Sequence, residues 1–438
     1  MEENAIKILR TFGLSEEMVQ GHVFRPEHLT DAVLSTDKQQ VSHVFDQPLH
    51  KPAKTNLFYH LNTEQLRNDL HDLLQPCTVG YSMQLRRAGR IIFNEQSGFA
   101  KMPGEGGPDG EPWTMDTPMH VASVSKLITA MALTKLLKTK NISVDAPIWP
   151  YLPPYWVRGD SIETLTFRHL LSHKSGLVVP QPAPGPSDFQ AMKNSIAHGI
   201  HGMPAYININ FGLMRILIST IDAPYLFNLF PIFNIANQDD AYWDTTTIAY
   251  YSRYVDENIF VPLGISSSFL HTDPNALAYP WPAKTPGFNS SDLSTMSGCA
   301  AWHLSVNDLL TIMAAFRRRN IIVDPTTAED MLDQQFGIDV IQDTKVGRLY
   351  AKGGFWGNGM SVEQSNVYFL PGRMELAILA NSPFCQPNAG FMGNVLDIIN
   401  KNMTLNLVSL TTTAVTAASL LGLINASRKL KVKDGIKL

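Results

Sequence analysis

The sequence predicts an α+β chain. Two pairs of strand-like runs, each joined by a tight turn, stand far apart in it, and apolar or amphipathic helical stretches lie between and around them. Composition agrees: 44% of the 438 residues are hydrophobic and 17% are charged. Such a chain can bury a sizeable core, unlike a disordered or collagen-like one.

The elements follow in order. Residues 1–60, polar and broken by Pro26, Pro48 and Pro52, read as an N-terminal extension. Thr63–Leu74 repeats its apolar residues at helical spacing. Val79–Leu85 and Arg90–Asn94 read as strands around a turn at Arg87–Gly89. The loop Lys101–Pro112 holds Gly104-Glu105-Gly106-Gly107, but without the leading strand and following helix of a phosphate cradle. Val121–Lys140 is helical and apolar nearly all round from Leu127 to Leu137, which places it inside the protein. Pro147–Pro154 closes that region with rigid backbone.

Residues 178–205 and 222–245 are rich in Pro, Asn and aromatics and read as irregular loops able to wall a pocket. Phe227, Leu229, Phe230 and Phe233 suggest an apolar lining. Tyr250–Phe260 and Leu304–Phe316 read as helices. Val367–Leu370 and Glu375–Ala380 read as strands around Pro371-Gly372, and Phe391–Ile399 as a last helix. The main domain is thus 61–403. In the tail, 404–438, an uncharged stretch from Leu405 to Asn425 precedes Arg428, Lys429, Lys431 and Lys433. It reads as a surface helix or a weak membrane anchor.

Charge and cysteine content exclude several functions. Thirty-five Lys and Arg stand against 39 Asp and Glu, a net charge of −4, with no basic footprint for nucleic acid. Cys77, Cys299 and Cys385 are far apart, which argues against a disulfide framework or a thiolate zinc site. Met1 to Gln20 lacks the continuous apolar run of a secretory signal, so the expected location is cytoplasmic.

The chemistry centres on Ser123-Val124-Ser125-Lys126 at the head of the buried helix. A serine hydroxyl needs a base within hydrogen-bond reach, and positions i and i+3 share a helix face. Burial and the positive end of the helix dipole both favour a neutral lysine, able to take the serine proton. The helix start also leaves the Ser123 N–H free for a developing oxyanion. Taken alone the pattern is more simply that of an ordinary helix N-cap beside a partly solvated lysine. Ser35-Thr36-Asp37-Lys38 repeats it in a polar segment without a helix.

Further phrases give the motif its context. Met119 to Lys126 reads MHVASVSK, Ile142 to Pro147 reads ISVDAP before Tyr151-Leu152-Pro153, and Leu170 to Leu177 reads LLSHKSGL. Val261 to Ile265 reads VPLGI, and Ser297-Gly298 leads on to Asp308-Leu309. In wording and order this resembles the serine β-lactamase and penicillin-binding-protein superfamily, particularly its class C β-lactamase and family VIII carboxylesterase branches. The resemblance runs from Thr63 to Asn400. It implies a β-lactamase/transpeptidase-like fold, an antiparallel sheet flanked by helices plus a mainly helical region, with the site between them.

The resemblance also implies roles. Tyr206-Ile207-Asn208 is similar to the family's Y-x-N motif, making Tyr206 a proton relay beside Lys126 and Asn208 an orienting amide. Lys352-Gly353-Gly354 is similar to the third motif, on an edge strand lining the site, where the Phe355 N–H completes the oxyanion hole. The family usually has a hydroxyl at the middle position, where it helps to hold a substrate carboxylate. Gly353 lacks it, although Lys352 keeps a cation nearby.

Other constellations carry less. His198-x-x-His201 has no accompanying carboxylate signature, so neither a metal nor a cofactor is expected. No G-x-S-x-G elbow occurs, and His173 reads as holding a turn. The expectation is a serine hydrolase acting through an acyl-enzyme on Ser123, foremost a carboxylesterase for small to medium esters. The alternatives are an amidase, D-aminopeptidase or β-lactamase, a transacylase with an alcohol acceptor, and a catalytically silent scaffold. The expected partner is a small-molecule ester or amide, with no nucleic acid and at most membrane contact through the tail.

Overall fold

A short antiparallel pairing joins the two ends of the described chain. β1 (Tyr59–Leu61) runs against Met403–Leu405, and the Asn62 N–H donates to the Asn402 carbonyl at 2.9 Å. The computed structural model describes residues 58–180, 188–227, 239–384 and 390–406. The expectations for Ser35 and Lys38, for the extension up to residue 57 and for the tail beyond residue 406 lie outside the described residues.

Asn62 caps α1 (Thr63–Leu74) by accepting from the Gln65 N–H at 3.2 Å, satisfying one of the amides that a helix start leaves open. Leu66, Leu70, Leu73 and Leu74 form its buried face. β2 (Gly80–Arg87) and β3 (Arg90–Lys101) then make a hairpin. Arg87 pairs with Arg90 across Ala88 and Gly89, whose φ angles are 50° and 83°. Two positive φ values give a two-residue loop the twist that its strands require. β4 (Glu111–Pro112) borders the end of β3. β5 (Met119–His120) leads through one 3-10 turn, Ala122–Val124, into α2 (Ser125–Lys140), buried on all sides from Ser125 to Thr134.

The helices α3 (Phe167–Leu171), α4 (Phe189–His198), α5 (Ile209–Asp222) and α6 (Asp239–Val255) follow, with one further helical turn, Pro224–Phe227, between the last two. α5, buried from Ile209 to Ile221, packs against α2 and α6 and forms the centre of the helical region. The buried Arg215 of α5 is ion-paired with Asp244 of α6. β6 (His303–Leu304) pairs with β5 and precedes α7 (Val306–Arg318) and α8 (Pro325–Asp333). The chain then returns to the sheet through β7 (Val340–Thr344), β8 (Gly347–Gly357), β9 (Val362–Leu370) and β10 (Met374–Ala380), before α9 (Gly390–Lys401) and β11 (Met403–Leu405).

Among the described residues the main sheet has seven strands, ordered β4-β3-β2-β10-β9-β8-β7, and its paired neighbours are antiparallel. α1 and α9 cover one face, where Leu66, Leu70, Met83, Leu376, Ile378 and Val395 share one core. Glu375, beside Leu376 and therefore on the opposite face, meets Arg318 of α7 at 3.0 Å. Helices on both sheet faces beside a mainly helical region make the α+β architecture that the sequence predicts.

Two expected loops are partly helical. α4 lies within 178–205: Asp188 caps it by accepting from Gln190 N–H at 2.8 Å, and Phe189, Met192 and Ile196 bury one face. α6 begins at Asp239, well ahead of the expected start at Tyr250. Thr245, Thr246 and Thr247 weaken its intrinsic propensity, and packing against α5 overrides that preference. Phe227 does not line a pocket, because it is buried and stacked on Trp243 at 4.3 Å. Leu229, Phe230 and Phe233 lie outside the described residues. Cys77 is disulfide-bonded, so the cysteines are not all unpaired as their spacing suggests, while Cys299 is a buried free thiol. Among the described residues no helix is long and apolar enough to cross a membrane.

Candidate active site

Ser123 lies in the 3-10 turn, two residues before α2 begins. The chain enters that turn through Ala122 at φ 45°, a left-handed conformation costing a residue with a Cβ about 1–2 kcal/mol. Two clamps hold it there. The Val121 N–H donates to the Trp302 carbonyl at 2.9 Å, and Ser365 Oγ of β9 donates to the Val121 carbonyl at 2.6 Å. The Ser123 N–H, in the first turn, has no preceding helical carbonyl to bond.

Lys126 reaches back along the helix so that Nζ is 3.0 Å from Ser123 Oγ. Nζ also donates to the Cys299 carbonyl at 2.9 Å, and the side chain is fully buried. No carboxylate of the described residues pairs with it. Burial drives its pKa below the ordinary lysine value, and Lys352 adds to that, while Cys299 and Tyr206 oppose it. An amine so placed can act as a base toward the serine hydroxyl.

Tyr206 arrives from the loop before α5, and its hydroxyl accepts from Lys352 Nζ at 3.4 Å, with Ser123 and Lys126 close by. Its ring lies between two amines, with Lys126 Nζ 5.1 Å and Lys352 Nζ 4.9 Å from the centroid. Burial raises the phenol, but Lys352, Lys126 and the Ser123 hydroxyl together bring it below its ordinary value. Asn208 stands at the N-cap of α5 without capping it, and its Oδ1 is buried with no hydrogen-bond partner.

β8 supplies the opposite wall. Its pairing with β7 ends at Val340 and Ala351, so one edge of Lys352–Gly357 is uncovered. The third motif therefore lies on the strand next to the edge, and the early end of β7 gives it the open edge that the sequence reading assigned to an edge strand. The Ala351 carbonyl accepts from Asp339 N–H at 2.9 Å, and the Gly353 N–H donates to Asp339 Oδ2 at 3.0 Å. Both face the β7 side, and alternation carries the Phe355 N–H to that same side, beyond the end of β7. At Gly354 a Cβ would lie 3.1 Å from Ser123 N and 2.3 Å from the Val121 carbonyl oxygen. Only glycine lets the strand approach the turn so closely.

Three residues of this neighbourhood escaped the sequence reading of the site. Asp339 pairs with Lys352 through Oδ1 at 2.6 Å, so Lys352 is not the free cation expected from its motif. It also donates to Tyr206 Oη at 3.4 Å. His173 stacks on Tyr206 with ring centroids 4.2 Å apart and planes at 26°. Its Nδ1 accepts from Asn210 Nδ2 at 3.1 Å and from the Ile207 N–H at 3.4 Å. Burial, with Lys352 and Lys126 nearby, lowers its pKa to about 3, so the ring is neutral. Asn210 is in turn fixed by Ser175 Oγ, which donates to Oδ1 at 2.6 Å. The LLSHKSGL phrase thus builds a platform under the phenol as well as a turn, and that phrase was the available signal.

Residues 71–227 match the family model described as Beta-lactamase. Esterase EstB of Burkholderia gladioli is 36% identical over 101 residues, 23% of this chain and 24% of that protein. The match thus spans about a quarter of that curated relative's length. FmtA from Staphylococcus aureus aligns with a TM-score of 0.58 at 16% identity, over 81% of this chain and 95% of that one. The D-amino acid amidase from Ochrobactrum anthropi SV3, complexed with L-phenylalanine, gives 0.55 at 18%, over 80% and 99%. The fold is the β-lactamase/transpeptidase-like one. Residues 71–227 thus carry the sequence pattern of the Beta-lactamase family model, within a chain of β-lactamase/transpeptidase-like fold.

Proposed function

We propose that the protein is a serine hydrolase that forms an acyl-enzyme on Ser123, with a carboxylic ester as its substrate. The observation that carries this reading is Lys126: a fully buried amine, free of any described carboxylate, 3.0 Å from the serine hydroxyl. In the first step Ser123 Oγ bonds to the ester carbonyl carbon while its proton passes to Lys126, directly or through the Tyr206 phenol. The Ser123 and Phe355 N–H groups stabilise the oxyanion. As the tetrahedral intermediate collapses, the bond to the leaving alcohol breaks and Tyr206 returns a proton to it. Water then attacks the acyl-serine by the same path in reverse, releasing the acid and restoring the serine. The chemistry needs no metal or cofactor.

The match to an esterase and the missing hydroxyl at Gly353 support an ester substrate. The unpartnered Asn208 Oδ1 supports an amide as second reading, since an amide N–H in the substrate would satisfy that acceptor. Matched p-nitrophenyl butyrate and p-nitrobutyranilide separate the two readings. Turnover of the ester alone supports the first, and Ser123→Ala should lose at least about a thousandfold in kcat/KM with whichever substrate reacts. Undiminished turnover by Ser123→Ala would refute both.

A further inference from the structure

We propose that Asp339 sets the charge preference of the site, excluding substrates that carry a carboxylate on the leaving-group side of the reacting carbonyl. The proposal rests on Ser123 being the acylated residue and names the substrate class that residue serves. Lys352 has no solvent-exposed surface. Its Nζ is held at 2.6 Å by Asp339 Oδ1 and at 3.4 Å by Tyr206 Oη. Asp339 Oδ2 simultaneously takes the Gly353 N–H at 3.0 Å. One resident carboxylate therefore occupies the ammonium and the adjacent backbone donor together.

A second observation points the same way. A Cβ at position 353 would lie 2.5 Å from Met392 Cε and 2.8 Å from Asn366 Oδ1, so a serine or threonine there would have to displace the ends of both side chains. Both groups that could hold an incoming carboxylate, a free ammonium and a hydroxyl, are withdrawn. A second anion would meet the charge of Asp339 in a partly buried setting, where screening is weak. The Phe355 side chain, 65% exposed beside this edge, leaves an apolar flank instead. These features suit an uncharged ester, and charge exclusion of this kind discriminates through a repulsive element.

The test uses two esters that differ only by a carboxylate on the leaving group, phenyl butyrate and 3-(butyryloxy)benzoate, with the full-length protein. The wild type should favour phenyl butyrate by at least about tenfold in kcat/KM. Asp339→Asn keeps the shape and one of the two acceptor oxygens while removing the charge, and should shrink that ratio at least about tenfold, chiefly through KM for the anionic ester. Asp339→Glu should keep the wild-type bias. Equal turnover of both esters by the wild type, or an equal change in both with Asp339→Asn, overturns the proposal. Should Asp339→Asn not fold, the wild-type ratio decides. Ser123-dependent turnover of phenyl butyrate with an unchanged ratio defeats this inference alone, whereas turnover that survives Ser123→Ala defeats the reading beneath it.

Discussion

Gly354 and Ser123 are in backbone contact: a single methyl carbon on the glycine would lie 3.1 Å from the serine nitrogen. That closeness aligns the free edge of β8 with the 3-10 turn, and it makes Gly354→Ala a direct probe of the oxyanion geometry. The added Cβ would also meet the Val121 carbonyl oxygen and Ser365 Oγ, each at 2.3 Å, so strand and turn must separate. The expected loss in kcat is about a hundredfold or more, with a stability cost of about 1–3 kcal/mol. Steady-state kinetics and thermal melting of the same preparation check both.

Lys126 gives a prediction with opposite signs for activity and stability. Lys126→Arg keeps a cation that cannot be deprotonated, and should abolish ester turnover. Lys126→Met should also be inactive yet melt at a higher temperature, by about 2–4 °C for each kcal/mol recovered. The sign follows from linkage. The folded value lies below the ordinary 10.5, so below that pH the unfolded chain holds a proton that the folded chain gives up more readily. The lysine therefore costs stability, increasingly as pH falls. Wild-type kcat/KM should fall on the acid side as Lys126 becomes protonated.

Glu375 supplies a pH effect far from the site. It is fully buried on β10, and burial raises its pKa to about 7 against the pull of Arg318 and Arg317. The unfolded carboxyl releases its proton near 4.5, so stability is full below that pH and is lost as pH rises through about 7. The loss is on the order of 3 kcal/mol. Glu375→Gln should remove this slope and melt higher than the wild type at pH 8, as calorimetry between pH 5 and pH 8 can show.

Much of this was visible in the residue pattern where one element made its own signal. The leucines of α1 recur every three or four positions, the apolar run of α2 marks a buried helix, and the Ala88-Gly89 and Pro371-Gly372 turns mark hairpins. Ser123 and Lys126 were legible because a helical turn brings them together. β8 was hidden by Gly347, Gly353, Gly354 and Gly357, poor strand formers that pairing with β9 nevertheless holds in register. Asp339 left no local pattern at all. It lies 13 residues before Lys352 and reaches it only because the β7–β8 register, ending at Val340 and Ala351, folds the chain back to that point. Tyr206 became a candidate through the order of the motifs, since it shares no element with Ser123.

The central claim is that Ser123 is acylated because Lys126 is neutral beside it. Intact-mass spectrometry after exposure to a fluorophosphonate measures this most directly, with peptide mapping to locate the adduct. One adduct per chain on Ser123 is expected, forming more slowly as pH falls and absent from Ser123→Ala and Lys126→Arg. No gain in mass, or an equal gain in Ser123→Ala, would contradict the account.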